Sequence, residues 1–201
     1  MTLGGVVVAA GSGERFGGPK AGVEVGGVPL WRLAADVLEA AGADPVIVVG
    51  DVPGGVAGGP RRRDSVANGL AALPDGIDFV LVHDAARPLA RAEMDRRVAV
   101  RLMQGDVEAV IPVVPVRDTV KRVDADRVVE TVDRSDLVIS QTPQGFRVAE
   151  LRAAQAADLD DASDEAALLE RSGGTTVTVP GDPTNLKITY PGDLAVVEAL
   201  R

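Results

Sequence analysis

Residues Val80–Pro88 read V-L-V-H-D-A-A-R-P, an aliphatic run that ends on an acidic residue and is followed by an arginine and a proline. Strands buried between layers of helices have such continuous apolar sequences, and ligands of open α/β sheets bind beyond the carboxyl ends of the strands. We therefore expect Asp84 in a binding crevice, where its carboxylate suits Mg²⁺ and Arg87 offers a planar cation for phosphate oxygens. An ordinary strand end with an Asx turn explains Asp84 and Pro88 but not Arg87.

Short aliphatic runs alternate with helical patterns along the chain, which predicts a layered α/β domain. The stretch Val116–Val138 departs from this alternation, because two β-like runs flank a D-A-D-R turn and predict a protruding hairpin. Strands are predicted at Gly5–Ala10, Pro45–Val49, Phe79–Asp84, Ala109–Val114, Thr175–Val179 and Leu186–Thr189, and helices at Leu30–Ala41, Arg61–Leu73, Arg91–Met103, Val148–Ala157, Ser163–Arg171 and Pro191–Leu200.

The composition excludes several classes of protein. With 201 residues, 46% apolar and 2% aromatic, the chain can build one core from Val, Leu, Ile and Ala. The absence of cysteine and the presence of one histidine, His83, exclude disulfides, thiol nucleophiles and the usual zinc sites. The net charge of −9 disfavours nucleic acid and anionic membranes as partners. No run is long enough to span a membrane and the N-terminus lacks signal-peptide features, so we expect a cytoplasmic protein.

A glycine-rich loop, G-S-G-E-R-F-G-G-P-K, follows the first predicted strand at residues 11–20. It is not a dinucleotide fingerprint, because Phe16 stands at the third glycine position, and it is not a P-loop, because Pro19 precedes Lys20. Its backbone N–H groups can still approach phosphates, with Arg15 and Lys20 as cations. A solvated surface loop is the alternative interpretation.

Basic residues occur at restricted positions elsewhere in the chain. Arg61–Arg63 stand at the start of a predicted helix, where cations oppose the helix dipole. They indicate an anion nearby, although one or two of them could point outward, and Ser65 could serve as a plain first-turn residue. Only three of the 21 basic residues are lysines. Lys20, Lys121 and Lys187 are therefore candidates for positions that need a compact ammonium group.

Eight motifs, in one order from about residue 6 to residue 194, resemble the 2-C-methyl-D-erythritol 4-phosphate cytidylyltransferase family of the non-mevalonate isoprenoid pathway. They are A-A-G-S-G-E-R-F-G-G-P-K, G-G-x-x-R-x-x-S-V-x-x-G-L, V-H-D-A-A-R-P, P-V-R-D-T-V-K-R, T-V-D-R, T-P-Q-G-F, D-E-A-A-L-L-E and N-L-K-I-T-x-P-G-D-L. The glycine-rich loop also occurs in other nucleotidyltransferases, whereas the conjunction is specific.

The resemblance implies a single Rossmann-like nucleotidyltransferase domain over residues 1–201, of three α/β/α layers with a mostly parallel sheet. It implies CTP and 2-C-methyl-D-erythritol 4-phosphate as substrates, diphosphate as the leaving product and Mg²⁺ as cofactor. It also implies a homodimer, in which a protruding arm at about residues 116–138 embraces the partner and delivers Arg134 into the partner's site.

The family's second metal carboxylate is often adjacent to the Asn of the N-x-K motif, where this chain has Thr184. We predict Asp182 as that ligand, with a turn residue before Pro183 as the alternative. Pro60 replaces a frequent acidic residue beside the nucleotide.

The resemblance implies a role for each of the following residues. The catalytic residues would be Arg15, Lys20 and Lys187, and the nucleotide contacts Ala9, Ala10, Gly11, Ser12, Gly13, Gly59 and Ser65. The acceptor contacts would be Arg87, Thr119, Arg134, Thr142 and Ser163, and the metal ligands Asp84 and Asp182.

Two other functions remain open. A cytidylyltransferase that uses another polyol phosphate, such as ribitol 5-phosphate, would share the fold and the loop. A nucleotide-binding protein without catalytic activity is the second alternative. The presence of Arg15, Lys20, Asp84 and Lys187 together argues against it, because binding alone does not need the whole set of charges.

Overall fold

The computed structural model describes residues 1–157 and 162–201, in which a central sheet lies between two layers of helices. The strands are β1 (Leu3–Val8), β2 (Glu24–Val25), β3 (Val28–Pro29), β4 (Val46–Val49), β5 (Phe79–Asp84), β6 (Ala109–Pro115), β7 (Val120–Asp124), β8 (Arg127–Val132), β9 (Val138–Ser140), β10 (Gln144–Arg147) and β11 (Thr176–Pro180), and the helices are α1 (Leu30–Ala40), α2 (Arg62–Ala72), α3 (Ala92–Met103), α4 (Val148–Ala156), α5 (Glu165–Arg171) and α6 (Asp193–Leu200).

The order of the strands brings three strand ends to one edge of the sheet. The order is β11-β6-β10-β5-β1-β4, and β9 pairs with β6. β10 runs antiparallel to both of its neighbours, whereas β4, β1 and β5 are mutually parallel. Val8 lies opposite both Val49 and Asp84, the last residues of the two flanking strands. The loops that follow these strands therefore meet above one edge, where ligands of such sheets bind.

Alternation along the strands fills a core on each face of the sheet. Val7 points into the cluster beneath α1 and α3, and Val6 into the cluster beneath α2, α4 and α5, because successive side chains of a strand point to opposite faces. The three-layer α/β architecture predicted from the sequence is confirmed. Among the described residues, no helix is both long and apolar enough to cross a bilayer.

A third apolar cluster ties the C-terminal segment to the start of the chain. Val25, Leu30, Ile188 and Val197 are its buried members, and Phe16 of the glycine-rich loop packs against it. The predicted strand at Leu186–Thr189 is wrong, since these residues do not pair with any strand of the described chain. The Ile188 N–H donates to the Ala86 carbonyl at 2.8 Å, and the chain then turns towards α6. One such hydrogen bond fixes the segment beside Asp84 without extending the sheet.

The predicted hairpin is confirmed as the antiparallel ribbon of β7 and β8, which forms a sheet of its own. Its turn includes Ala125 at a φ of 50°. Three valines on the ribbon stay more than half exposed, namely Val123, Val128 and Val129, and Val138 and Ile139 beyond it are about half exposed. An isolated two-stranded ribbon is marginally stable in water, and an exposed apolar patch of this kind is typical of an interaction surface.

Candidate active site

A cleft of about 650 Å³ opens above the ends of β1 and β5; we call it the larger cleft. Its walls come from the glycine-rich loop, the segment before α2 and the segment after β11. The structure brings together here all the predicted nucleotide-contacting and catalytic residues, which are Ala9, Ala10, Gly11, Ser12, Gly13, Gly59, Ser65, Arg15, Lys20 and Lys187.

A second cavity of about 150 Å³, the smaller cleft, adjoins the first. Of the predicted acceptor residues, Arg87, Thr142 and Ser163 line it. Arg62, Asp84 and Lys187 line both clefts. Two ligands, one in each cleft, would therefore meet beside these three charged side chains.

Backbone hydrogen bonds give the glycine-rich loop its shape. The Gly13 carbonyl accepts from the N–H groups of Phe16, Gly17 and Gly18 at 2.8, 3.0 and 3.1 Å. Gly13 has a φ of 67°, and a Cβ there would lie 1.8 Å from the Gly18 carbonyl oxygen. Glycine is required at this position because a side chain would collide with the backbone that closes the loop.

The Lys20 ammonium lies between the loop and the C-terminal segment. It donates to the Ile188 carbonyl at 2.9 Å. Partial burial lowers its pKa, and the neighbouring cations Lys187 and Arg15 lower it further. Cations that repel one another in a cleft are stabilised by an anion, so this side of the larger cleft suits phosphate groups.

Asp84 is the buried anion at the junction of the clefts. Its Oδ1 accepts from Arg62 at 3.0 Å and its Oδ2 from Lys187 at 2.7 Å, with Arg87 at 4.0 Å. Burial alone would raise the pKa of this carboxyl, but Arg62, Lys187 and Arg87 outweigh burial and hold the pKa well below its ordinary value. The Asp84 carboxyl group is therefore ionised at neutral pH.

A magnesium ion fits this site only when a bound substrate supplies phosphate oxygens to complete its coordination. In the described part of the chain, no group of three or more His, Cys, Asp or Glu side chains could hold a metal. Mg²⁺ is commonly bound by one or two carboxylates, with phosphate oxygens and waters completing its shell. Asp84 offers one carboxylate beside the space where phosphates would lie, which satisfies that mode of binding.

Asp182 lies differently from the expectation for a second metal ligand. Its Oδ1 accepts from the N–H and the hydroxyl of Thr184 at 2.8 and 2.7 Å, and Arg91 lies 3.8 Å from its Oδ2. Among the described residues that line the two clefts, Asp182 does not occur. The geometry is that of the turn residue considered as the alternative, and the structure does not bring Asp182 together with Asp84.

The three successive arginines serve three different purposes. Arg61 pairs with Asp64 at 2.8 Å, and Arg63 is buried and donates to the Gln155 carbonyl at 2.9 Å. Arg62 instead bridges Asp84 and Glu165. Burial opposes the charge of Arg62, but the two carboxylates outweigh it and raise its pKa. Arg62 therefore lies at the junction of the two clefts, and the anions beside it are two carboxylates of the protein.

The sequence does not single out Arg62 among the three successive arginines, and it assigns no role to Glu165. Glu165 begins α5 and is 1% exposed, and burial raises its pKa despite the contact with Arg62. Both residues belong to motifs that carried the family resemblance, G-G-x-x-R and D-E-A-A-L-L-E. Membership of those motifs is the signal in the sequence that could have indicated a functional role. The contact between the two residues could not be predicted, because it joins positions 103 apart in the chain.

The polar wall of the smaller cleft is built from β5, the segment before β10 and the residues before α5. The Asp84 N–H donates to Thr142 Oγ1 at 3.0 Å, and Nδ1 of His83 lies 2.9 Å from the same oxygen. Burial lowers the pKa of His83 to about 4, so the ring is neutral. Elsewhere on this wall, Gln144 donates to Asp164 at 2.7 Å. These hydrogen bonds fix the side chains that face the cavity.

The two remaining predicted acceptor residues lie on or beside the arm. Thr119 precedes β7, and Arg134 follows β8. Arg134 is exposed and donates to the Val116 carbonyl at 3.1 Å. Neither residue is among the described residues that line the clefts of this chain, so the structure does not bring them to Arg87 and Thr142 within one subunit.

Comparison with known proteins gives a consistent result. A family model described as IspD, 2-C-methyl-D-erythritol 4-phosphate cytidylyltransferase, matches residues 3–201. The 2-C-methyl-D-erythritol 4-phosphate cytidylyltransferase of Nocardia farcinica is 48% identical, over 97% of this chain and 92% of its own length. The crystal structure of the Thermus thermophilus enzyme of that name has a TM-score of 0.84 at 33% identity, with 97% of this chain and 96% of that one covered. The matched range of the family model contains every residue that lines the two clefts.

Some relatives are longer than this chain. The bifunctional enzyme IspD/IspF of Solidesulfovibrio magneticus is 44% identical over 97% of this chain, which spans 56% of that protein's length. The similarity to bifunctional relatives therefore concerns about half of each of them.

Proposed function

This chain belongs to the 2-C-methyl-D-erythritol 4-phosphate cytidylyltransferase family, and we infer that it transfers a cytidylyl group from CTP to 2-C-methyl-D-erythritol 4-phosphate. The products are 4-diphosphocytidyl-2-C-methyl-D-erythritol and diphosphate. The observation that supports this reaction is the junction of the two clefts. CTP would occupy the larger cleft and the acceptor the smaller one, so that both phosphates approach Arg62, Asp84 and Lys187.

In the proposed reaction, an oxygen of the acceptor phosphate attacks the α-phosphorus of CTP in line. The bond from that phosphorus to the bridging oxygen of the β-phosphate breaks, and diphosphate leaves with the bonding electron pair. No proton has to move, so catalysis depends on positioning and on neutralising charge. Arg15 and Lys20 would stabilise the five-coordinate phosphorus and the leaving diphosphate, and Lys187 would bring the acceptor phosphate close.

We assign the metal to Asp84 and to the phosphate oxygens of CTP. When bound there, Mg²⁺ would neutralise charge on the triphosphate and act as a Lewis acid. Arg62 and Lys187 hold the Asp84 carboxylate in place through its two oxygens. Because Lys187 is 40% exposed, its contact with Asp84 can give way to a phosphate or a cation.

We further propose that the active protein is a cytoplasmic homodimer. The valines of the arm are exposed, and Thr119 and Arg134 lie apart from the clefts of their own chain. If the arm packs on a second subunit, both residues would complete the partner's smaller cleft. Arg134 would then form a charge-assisted, bidentate contact with the acceptor phosphate.

Initial rates with two acceptors test the function. With CTP and Mg²⁺, diphosphate release should be fast with 2-C-methyl-D-erythritol 4-phosphate and slower by orders of magnitude with ribitol 5-phosphate. A preference for ribitol 5-phosphate would assign the chain to the other acceptor. A chain that binds CTP with Mg²⁺ and releases diphosphate with neither acceptor would be a nucleotide-binding protein without this activity.

A further inference from the structure

The chain's single histidine lies directly behind the smaller cleft. His83 is fully buried in β5, next to Asp84 in the sequence, and it has no role in the reaction described above. Within the described residues its Nε2 makes no hydrogen bond. Its Nδ1, in contrast, lies 2.9 Å from Thr142 Oγ1. The ring therefore meets a side chain that itself lines the cavity.

The Thr142 hydroxyl can make only one further hydrogen bond beyond the two that it already makes within the protein. Its Oγ1 has one proton and two lone pairs. The N–H of Asp84 occupies one lone pair, and Nδ1 of His83 occupies a second position, as an acceptor or as a donor according to the tautomer. In either tautomer one position remains. The two buried contacts fix the direction of that position, so the hydroxyl cannot rotate freely.

We propose that His83 is a positioning residue for the acceptor: it fixes the Thr142 hydroxyl so that its one free position meets the polyol phosphate in the smaller cleft. This inference rests on the proposed function. A hydroxyl that is ordered before the ligand arrives loses less conformational freedom on binding. The contribution should therefore appear in the KM of the acceptor and not in the KM of CTP, which occupies the other cleft.

Three single variants and one double variant test the proposal. His83→Leu removes Nδ1 and keeps a buried apolar side chain, whereas His83→Asn keeps a polar atom near the position of Nδ1. We expect His83→Leu and Thr142→Val each to raise the KM for 2-C-methyl-D-erythritol 4-phosphate about three- to tenfold, the effect of one net hydrogen bond, with the KM for CTP within about twofold of wild type. His83→Asn should recover most of the loss. The double variant His83→Leu/Thr142→Val should have the same KM values as Thr142→Val alone, because the effects of two substitutions that break one shared contact are not additive.

Equal increases in both KM values, or multiplying effects in the double variant, would overturn the proposal and leave His83 a structural residue. Should His83→Leu fail to fold, the wild-type protein provides a second measurement. With one histidine, ¹⁵N-histidine labelling gives the signals of one ring. Adding the acceptor to protein saturated with a non-hydrolysable CTP analogue should shift Nδ1, and an unmoved Nδ1 at acceptor saturation would contradict the proposal. Failure of the wild-type protein to turn over the acceptor would instead refute the proposed function.

Discussion

Replacing Asp84 by asparagine removes the negative charge at the junction of the two clefts. The variant retains the size of the side chain but loses the carboxylate that we assign to the metal. Turnover should fall by orders of magnitude, because an amide oxygen is a weaker ligand for a hard cation. Arg62 and Lys187 also lose their shared anion, so stability should fall as well.

The contacts of Asp84 set the size of the stability loss. Removing one partner of a fully buried ion pair costs about 3–5 kcal/mol, whereas exposed pairs contribute about 0–1 kcal/mol. The Asp84 side chain is 9% exposed, but those of Arg62 and Lys187 are 25% and 40% exposed, and Arg62 keeps Glu165. We therefore expect a loss of about 2 kcal/mol, which corresponds to a decrease of roughly 4–8 °C in Tm for a chain of this length.

Steady-state turnover over a Mg²⁺ titration and a thermal melt measure the two effects separately. Asp182→Asn is the matched control, because the structure places that carboxylate in a turn outside the clefts. It should retain near-wild-type turnover and the wild-type dependence on Mg²⁺. Near-wild-type activity of Asp84→Asn at limiting Mg²⁺ would refute the role of Asp84. A large loss in Asp182→Asn would restore Asp182 as the second ligand.

Lys20→Ala should lower kcat more than it raises the KM for CTP, since a charge matched to the transition state adds little to ground-state binding; a change in KM alone would make Lys20 a binding residue. Purified heterodimers of an Arg134→Ala chain and a Lys20→Ala chain should recover about half of the wild-type activity, because one of the two sites carries neither lesion; inactive but paired heterodimers would show that Arg134 does not act in trans. Burial raises the pKa of Asp95 from 3.8 to about 8. Between about pH 4 and pH 8 the folded state therefore retains a proton that the unfolded chain has lost. The free energy of unfolding should fall as pH rises through this range. Asp95→Asn should flatten this dependence in denaturant titrations, while Glu170→Gln, at an exposed position of α5, should keep it. An unchanged slope in Asp95→Asn would contradict the assignment.

The parallel half of the sheet could be predicted from the sequence because its strands are continuous aliphatic runs. β10 could not, since Q-G-F-R contains one large apolar residue and resembles a loop. Its burial depends on tertiary packing: a Cβ on Gly145 would lie 2.8 Å from Val98 of α3. The opposite error occurred at Leu186–Thr189, where an apolar run lies beside the strand end without pairing as a strand.

The candidate site, like the sheet, could be predicted from the sequence only in part. Asp84 and Arg87 could be placed because the position of a strand end is visible in the sequence. The bridge from Arg62 to Glu165 and the contact from His83 to Thr142 could not, because they join residues 103 and 59 positions apart. Local patterns therefore predict where a site lies, while the contacts that hold its charges depend on how distant segments meet.

If the two clefts hold the two substrates of one cytidylyl transfer, an oxygen of the acceptor phosphate must become bonded to the α-phosphorus of CTP, and an isotope experiment follows that oxygen. 2-C-methyl-D-erythritol 4-phosphate, labelled with ¹⁸O at its non-bridging phosphate oxygens, is incubated with CTP, Mg²⁺ and the protein, and ³¹P NMR follows the product. We expect a new diphosphate ester whose CMP-derived phosphorus shows the shift of one bound ¹⁸O, because the acceptor oxygen becomes the bridge. An unshifted CMP-derived phosphorus in that product, or CTP and acceptor unchanged in the presence of folded protein, would refute the proposed transfer.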